Sequence, residues 1–593
     1  MHKNIFKTKT ASALLRTTIT GLVSASISVT ALADGKPGVE TTMYFNAHVF
    51  TAEYNAPYAE AVAIRGDRIL AVGNQRDVER LAGKSARKVD LHGKFLMPGM
   101  IDAHAHPIFG GMTLVMANYP DTKDSIPDLV KFIDTQIDGQ KSSIGDTVMI
   151  HDLDLGFWSH SAELDAVLSH GRYATIPIVL NGMDGHTGWA NQAARSRAGL
   201  TPDFIRTLPT EKQKYFGFDA AFVPNGFVVD FGKTIIDQSL PKPSAAMALA
   251  AGEAGVQYMN SVGITGWLDA AAVGDASGAA LSATDTGFLP VYRELAKRGM
   301  LTAHVAAYPV VSPDAGTAQI ATVETLRKQY SDVANLTMPG LKIFADGVVE
   351  YPSQTAAMVK PYINSGQIVP PLFKQASMNA MVAEADKRGL QVHVHAIGDA
   401  AVKAALDAFE LARKANPDSK LKFVITHAQF VDIEDQPRFA QYNVIAALQL
   451  LWALADPSTI DIVKPYVDPV AYLTMYPARS LLDKGTEIAG ASDWPVSSAA
   501  PFEAIYQAET RLGSAGVLFP EQRMPRMAMM YAYTRNAADV LNQLKTIGSL
   551  APGKRADLVL VDRDVLTVSA DELKSAKVLA TMFAGKTVFG AGL

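Results

Sequence analysis

Two histidines separated by a single residue stand in the stretch "LMPGMIDAHAHP" and could bind a metal ion. Asp102, His104 and His106 occupy alternate positions, and they would lie on one side of an extended chain. Imidazole nitrogens are common ligands of Zn²⁺ and other divalent transition metals. A His-x-His pair alone is weak evidence, because either ring could be a hydrogen-bonded core residue. The motif therefore leaves two readings open, a strand that presents metal ligands and a histidine-rich turn.

Other ionisable residues occur at similar places much further along the chain, where short apolar runs end. They are Lys342 in "GLKIFADG", His395 in "LQVHVHAIGD", His427 in "KFVITHAQ" and Asp493 in "EIAGASDWP". Each one has an ordinary structural explanation when taken alone. Their joint recurrence at the ends of otherwise apolar runs favours one metal centre.

The composition restricts the chemistry of such a centre. Cysteine is absent, which excludes disulfides, thiolate nucleophiles and cysteine-ligated zinc. Imidazole and carboxylate ligands suit Zn²⁺, with Mn, Co, Ni or Fe as alternatives. A protonated lysine has no free lone pair, so Lys342 could coordinate only if deprotonated or if carboxylated by CO₂ into a bridging anion. A metal would activate water and polarise a carbonyl, and Asp493 would be the general base.

Eight short apolar runs that alternate with helical patterns would have to position these residues. Their sequences are "MIDAHAH", "VGITGWLDA", "LTAHVAAY", "GLKIFADG", "LQVHVHAIGD", "KFVITHAQ", "NVIAALQL" and "EIAGASDWP". Eight strands with intervening helices is the count of a TIM-type (β/α)8 barrel, whose active site lies at the carboxyl ends of its strands. The sequence thus predicts an α/β fold with this barrel over residues 99–544.

The remaining segments predict two additions to the barrel. Alternating β patterns at both ends of the chain indicate one composite β-sandwich made from residues 34–98 and 545–593. The segment from about residue 111 to 243 is too long for a single βα connection. We expect an insertion over the barrel mouth that shapes substrate access.

The first thirty-three residues are typical of a secretory signal peptide. Four cations precede a short apolar stretch, and Ala31-Leu32-Ala33 supplies a cleavage site. We expect a periplasmic or secreted protein with no stable membrane anchor after cleavage, because the apolar stretch is short and rich in Ser and Thr. The formal net charge of −5 disfavours a nucleic-acid partner.

Motifs over nearly the whole predicted mature chain resemble the amidohydrolase superfamily, and more narrowly its family-3 branch, which includes N-substituted formamide deformylases. Their sequences are "AVAIRGDRILAVG", "GKFLMPGMIDAHAHP", "DGHTGWANQAA", "LKIFADGVVEYPSQTAAM", "VHAIGDAAV", "ITHAQ", "GASDWPV", "YTRNAA" and "GSLAPGKRADLVLVD". The resemblance implies hydrolysis of carbon-nitrogen bonds at a centre of one or two metals. It further implies that Lys342 bridges, that Asp493 contacts the first metal and acts as base, and that the other ligands are His104, His106, His395 and His427.

The resemblance also suggests substrate contacts. His186 in "DGHTGW" matches a branch motif, although it could simply order its own loop. Glu350 follows the Lys342 run in a branch-like pattern with the same alternative. The seventh run reads "AALQLLWALAD", where the branch commonly has Gln-Pro and then a polar residue. Trp452, with Leu450 and Leu451, therefore suggests an apolar substrate wall or a core position. His393 forms a second His-x-His pair with His395, and we expect it to support the centre rather than to bind metal.

The sequence therefore favours an exported metal-dependent amidohydrolase that acts on a small, apolar amide of the N-acyl or N-formyl type. Ester or small-peptide hydrolysis by the same site stays open. So does a non-catalytic binding or regulatory role on the same fold, although such a protein would often have lost Asp493 or a metal ligand. A homodimer is also left open.

Overall fold

The computed structural model describes residues 40–120, 125–139, 143–275 and 279–593. The predicted signal peptide, residues 1–33, lies outside the described residues. Each of the eight predicted runs contains a strand. In chain order the strands are β1 (Met100–Ala105), β2 (Ile264–Val273), β3 (His304–Pro309), β4 (Gly340–Phe344), β5 (Gln391–Ala396), β6 (Phe423–His427), β7 (Val444–Leu448) and β8 (Glu487–Gly490).

These strands form two parallel sheets that together make the TIM-type barrel. β1, β2 and β3 pair in sequence order, and β4 to β8 do the same. A parallel bridge between Val310 and Lys342 joins the end of β3 to β4. On the other side, the Asp493 amide after β8 donates to the carbonyl of His104 in β1 at 2.8 Å. The carboxyl ends of all eight strands consequently meet at one rim.

The barrel strands are buried on both faces, as expected for a parallel sheet covered by helices. In the helix Asp399–Ala415, for example, Val402, Leu406 and Phe409 are buried at helical spacing. The other longer helices after β1 that belong to the barrel part are Pro107–Val115, Ala245–Ser261, Leu289–Lys297, Gln319–Gln329, Gln375–Lys387 and Pro501–Thr510. Shorter helices are Gln436–Gln441, Pro457–Ile460, Pro469–Tyr472, Ala478–Asp483, Arg526–Tyr531 and Ala537–Val540.

Strands from both ends of the chain form a β-sandwich beside the barrel. One sheet contains Thr41–Phe45, Ala61–Arg65, Arg68–Gly73 and Arg87–Asp90. The other contains His48–Phe50, Tyr58–Ala59, Phe95–Pro98, Leu558–Val561, Val578–Phe583 and Lys586–Gly590. Met97 lies opposite Val559 in an antiparallel pair, so the two ends of the chain share one sheet.

A separate sheet lies between β1 and β2 in the chain and forms the inserted region. Its strands are Ala117–Asn118, Ser143–Ile144, Thr147–Leu153, Ile178–Gly182, Thr187–Ala190, Phe216–Phe218 and Pro224–Val229. Leu129, Ile150 and Leu180 belong to its own apolar cluster. Helices of this region are Ile126–Asp138, Ser161–Leu168, Gln192–Arg197, Pro202–Thr207, Thr210–Gln213 and Phe231–Ser239. Within the described ranges, none of the helices has the length and apolar character needed to cross a bilayer.

Candidate metal centre

Side chains at the ends of β1 and β8 form the closest group at the barrel rim. His104 Nε2 lies 3.2 Å from Asp493 Oδ1, and His106 Nε2 lies 3.1 Å from the same oxygen. One ligand atom from each of these three residues falls within 4.8 Å of the others. This spacing suits a single metal ion held by two imidazoles and a carboxylate.

The other predicted ligands adjoin this group. The ring centroid of His427 lies 5.1 Å from that of His104 and 4.5 Å from that of His395. Lys342 on β4 is fully buried, and its charge acts on both His104 and His395. The structure thus brings all six predicted ligands together, although they are spread over almost four hundred residues of sequence.

Hydrogen bonds orient the rings of His104, His395 and His427 and leave one nitrogen of each ring available to a metal ion. His395 Nε2 donates to the carbonyl of Gly347 at 3.1 Å, which leaves Nδ1 with its lone pair. His427 Nδ1 donates to Gln449 Oε1 at 3.0 Å, which leaves Nε2. Supporting bonds of this kind commonly orient metal-binding histidines.

His393 supplies the corresponding contact for His104. Its Nε2 lies 2.7 Å from His104 Nδ1, and the two rings are stacked with centroids 4.9 Å apart. With His104 Nε2 directed at Asp493, His104 Nδ1 donates and His393 Nε2 accepts. His393 therefore supports a site residue, in line with its predicted secondary place.

The electrostatics of the site favour neutral imidazoles and an ionised carboxylate. Burial, followed by the charge of Lys342, lowers the pKa of His395 to about 3. Burial also lowers the pKa values of His104 and His427 well below the usual range. Burial alone would raise the pKa of Asp493, but His106 and His427 outweigh it and lower the pKa to about 2. Neutral histidine and carboxylate are the forms that bind metals.

The surroundings of the Lys342 amine show whether these residues fit a metal ion. Its buried Nζ has no hydrogen-bond partner within the described part of the chain. Burial lowers the pKa of Lys342 to about 7, against the opposing pull of Asp493. A buried amine without a partner is unfavourable in itself. The donor set and this orphaned nitrogen fit a metal centre in which Lys342 is neutral or converted to an anionic ligand.

Asp102 connects the two ends of the barrel below the centre. Its Oδ1 accepts from the amides of His104 and Ser492 at 3.0 and 3.1 Å, and its Oδ2 accepts from the Ser492 hydroxyl at 2.5 Å. Burial raises the pKa of Asp102 to about 7 in spite of these bonds. Asp102 therefore positions β1 against the segment after β8 instead of joining the ligands.

The inserted region contributes a second polar pair, His186 and Asp230. His186 Nδ1 lies 2.6 Å from Asp230 Oδ1, and the Asp230 amide donates to the His186 carbonyl at 3.0 Å. Burial alone would lower the pKa of His186, but the charge of Asp230 and its hydrogen bond raise it to about 9. The His186 ring lies 5.7 Å from that of His395. The pair thus holds an imidazolium beside the candidate metal centre.

A cavity of about 970 Å³ joins the metal centre to the predicted substrate residues. His395, His427 and Asp493 line it together with His186, Glu350 and Trp452. The Trp452 ring stacks on His427 with centroids 5.6 Å apart and an angle of 8°. Trp452 is therefore part of the cavity wall.

Two residues that contact the site, Asp230 and Gln449, were missing from the sequence prediction. Asp230 lies next to His186 because two antiparallel strands pair beside them. In this pair Thr187, which follows His186, lies opposite Val229, which precedes Asp230. Gln449, which holds His427, follows directly after β7. Its position at a strand end was a usable signal, whereas nothing local distinguishes Asp230.

Fold and site together define a metal-dependent hydrolase on a TIM-type barrel. The chain belongs to the amidohydrolase family, whose family profile matches residues 87–589. This result confirms the resemblance found in the sequence.

The chain is similar to known proteins over most of their length. An N-substituted formamide deformylase from Arthrobacter pascens is 25% identical over 92% of this chain and 97% of its own. An exoenzymes regulatory protein from Pectobacterium carotovorum is 29% identical over 67% of this chain and 82% of its own. The crystal structure of an uncharacterized metal-dependent hydrolase from Pyrococcus horikoshii has a TM-score of 0.68 at 21% identity, covering 90% of this chain and 99% of the other.

Proposed function

We propose that this protein is an exported zinc-dependent enzyme that hydrolyses the amide bond of a small, largely apolar molecule and releases an amine. The observation that carries the proposal is one cavity lined by three metal-centre residues, His395, His427 and Asp493, together with an imidazolium and an apolar wall. Similarity to a formamide deformylase over nearly the full chain supports a carbon-nitrogen bond as the target.

The residues of the centre have separate tasks in this proposal. His104, His106 and Asp493 would hold one metal ion, and His395 with His427 would hold a second, with Lys342 carboxylated at Nζ between them. The bound metal would supply water activation and polarisation of the substrate carbonyl. Asp493, which stays ionised at neutral pH, would take the proton of the attacking water and pass it to the leaving nitrogen.

His186 would stabilise negative charge on the carbonyl oxygen during the reaction. Its Nδ1 is bound by Asp230, so its Nε2–H is the donor left for a substrate in the cavity. A fixed cationic donor in a partly desolvated site is an effective stabiliser of a developing oxyanion. Asp230 keeps His186 protonated and oriented.

The apolar side of the cavity would hold the body of the substrate. Leu451, Trp452 and Leu454 line it, together with Ile462. Leu450, in contrast, is almost completely buried in the barrel core. These positions support the proposed preference for apolar acyl or aryl groups.

A regulatory role is the second candidate, because the Pectobacterium relative is described as a regulatory protein. A protein that only binds has no need of a complete ligand set with a general base. This chain contains every member of that set: His395, His427 and Asp493 line the cavity, and Asp493 is grouped with His104 and His106, while Lys342 lies buried on β4. We therefore favour catalysis.

The experiment is a panel of amides and esters, varied in acyl length and aryl group, offered to zinc-loaded and chelated enzyme. Release of an amine by the zinc-loaded form only, with loss on chelation and recovery on zinc addition, is the expected result. Release of alcohol from esters with no action on amides would instead assign an esterase. Metal analysis that finds no tightly bound transition metal in active protein would contradict the proposal.

A further inference from the structure

We propose that the substrate carries a cationic group, such as an ammonium, and that Glu350 binds this group in the wall of the cavity. The inference rests on the proposed function, because it names the substrate class of the same site. Two features carry it: the charges that line the cavity and the aromatic rings that adjoin Glu350.

Carboxylates predominate among the charged side chains that line the cavity, and His186 is the cation that faces them. Among the described residues that line it there is no lysine and no arginine. Five carboxylates do line it: Asp154, Asp184, Glu350, Asp456 and Asp493. A cavity in which carboxylates predominate concentrates cationic ligands. His186 is held by Asp230 beside the candidate metal centre, so it leaves the other carboxylates without a partner of opposite charge.

Three of these carboxylates already accept hydrogen bonds from nearby backbone amides. Asp154 Oδ1 accepts from the Gly156 amide at 2.8 Å, and Asp456 Oδ1 accepts from the Thr459 amide at 3.2 Å. Asp184 Oδ1 accepts from the amides of His186 and Thr187 at 3.1 and 2.9 Å. These bonds cap turns and helices, so the three residues have structural tasks. Asp493 belongs to the metal centre.

Glu350 is the remaining carboxylate, and it accepts hydrogen bonds from its own backbone amide and from the Gln429 side chain. Burial raises the pKa of Glu350, and the charge of His186 opposes this rise. His186 is already paired with Asp230 at 2.6 Å. Within the described ranges, no lysine or arginine forms an ion pair with Glu350. A half-buried carboxylate of this kind is stabilised by a ligand that brings a positive charge.

Aromatic rings line the cavity together with Glu350. Tyr476 and Tyr466 line the same cavity, and Tyr466 stacks on Tyr351 with centroids 4.5 Å apart. After burial, the charge of Glu350 is the largest influence that raises the pKa of Tyr476, which places the two side chains close together. Faces of Tyr and Trp attract ammonium groups. A carboxylate beside aromatic rings is a favourable environment for an alkylammonium.

The test compares two aryl formamides that are identical except at the para position. One carries a trimethylammoniomethyl group, and the other carries a neopentyl group of the same shape without charge. With zinc-loaded enzyme we expect kcat/KM to favour the cationic compound by about tenfold or more. In Glu350→Gln the ratio should fall toward one. Glu434→Gln, which removes an exposed carboxylate from the surface, serves as the matched control and should retain the ratio.

Binding separates this inference from the proposed reaction. Calorimetry with 4-(trimethylammoniomethyl)benzyl alcohol and 4-neopentylbenzyl alcohol needs no turnover. Tighter binding of the cation that is lost in Glu350→Gln would support the inference even if both formamides were inert, an outcome that would count against the amidase alone. Equal binding of the two alcohols, or a preference that Glu350→Gln leaves unchanged, would overturn the inference even if the formamides were hydrolysed.

Discussion

His393 Nε2 lies 2.7 Å from His104 Nδ1, so the first histidine of the β5 pair holds the first histidine of the β1 pair. Removal of this acceptor in His393→Leu should lower zinc affinity by about 10–100-fold, because the His104 ring loses its orientation. Competition with a chelator of known affinity measures this effect. His393→Gln, which retains an acceptor, should recover part of the loss. His48→Ala, on the surface, is the control. Unchanged zinc affinity in a folded His393→Leu protein would refute the role.

Asp493→Asn should bind zinc yet lose most of its turnover, because an amide cannot accept the proton of the attacking water. We expect kcat to fall by about 10²–10⁴-fold, the range typical of a lost general base. Zinc content measured on the same sample separates catalysis from metal loss. Near-normal kcat in the zinc-loaded variant would show that another group acts as base.

Asp230 should set the upper pH limit of activity. The ordinary pKa of histidine is about 6.5, and Asp230 raises that of His186 to about 9. The protonated form is the one stabilised by folding, so this stabilisation is complete below about pH 6.5 and disappears as the pH rises through about 9. Activity that needs the His186 imidazolium should therefore decline as the pH rises through about 9.

In Asp230→Asn the burial of His186 should dominate and move this alkaline decline to lower pH. The pH profile of kcat/KM measures the shift. Asp237→Asn, which alters an exposed pair with Lys233 on a neighbouring helix, should leave the profile in place. An identical profile in Asp230→Asn and the unaltered enzyme would exclude His186 as the titrating group.

Lys342 should make metal assembly depend on dissolved CO₂. Protein reconstituted with zinc in CO₂-free buffer should hold less metal than protein reconstituted with bicarbonate, because only the carboxylated lysine supplies an anionic bridging ligand. Lys342→Arg should show no bicarbonate effect, since a guanidinium stays protonated. Metal content by atomic emission is the readout. Equal metal content with and without bicarbonate would exclude carboxylation.

The sequence was sufficient for the barrel strands and for the positions of the candidate ligands. Apolar runs that end in His104, Lys342 or Asp493 are local signals, and the barrel topology converts them into neighbours. The contacts between His186 and Asp230 and between His104 and His393 depend on packing between distant elements, so no local pattern could specify them. The direction of a side chain at a strand end, as for Trp452, is likewise decided by the loop that follows.

The hydrogen bonds that Ser492 donates to Asp102 join residues near opposite ends of the barrel sequence. His104 and Asp493 lie next to these hydrogen bonds, and they can approach each other only after the strands between them have formed the barrel. A nascent or truncated chain would therefore offer scattered histidines rather than half of a working centre. Tight zinc binding should therefore occur only when the whole barrel has folded. If unfolding first breaks the hydrogen bonds between Asp102 and Ser492, the metal should be released before the β-sandwich unfolds.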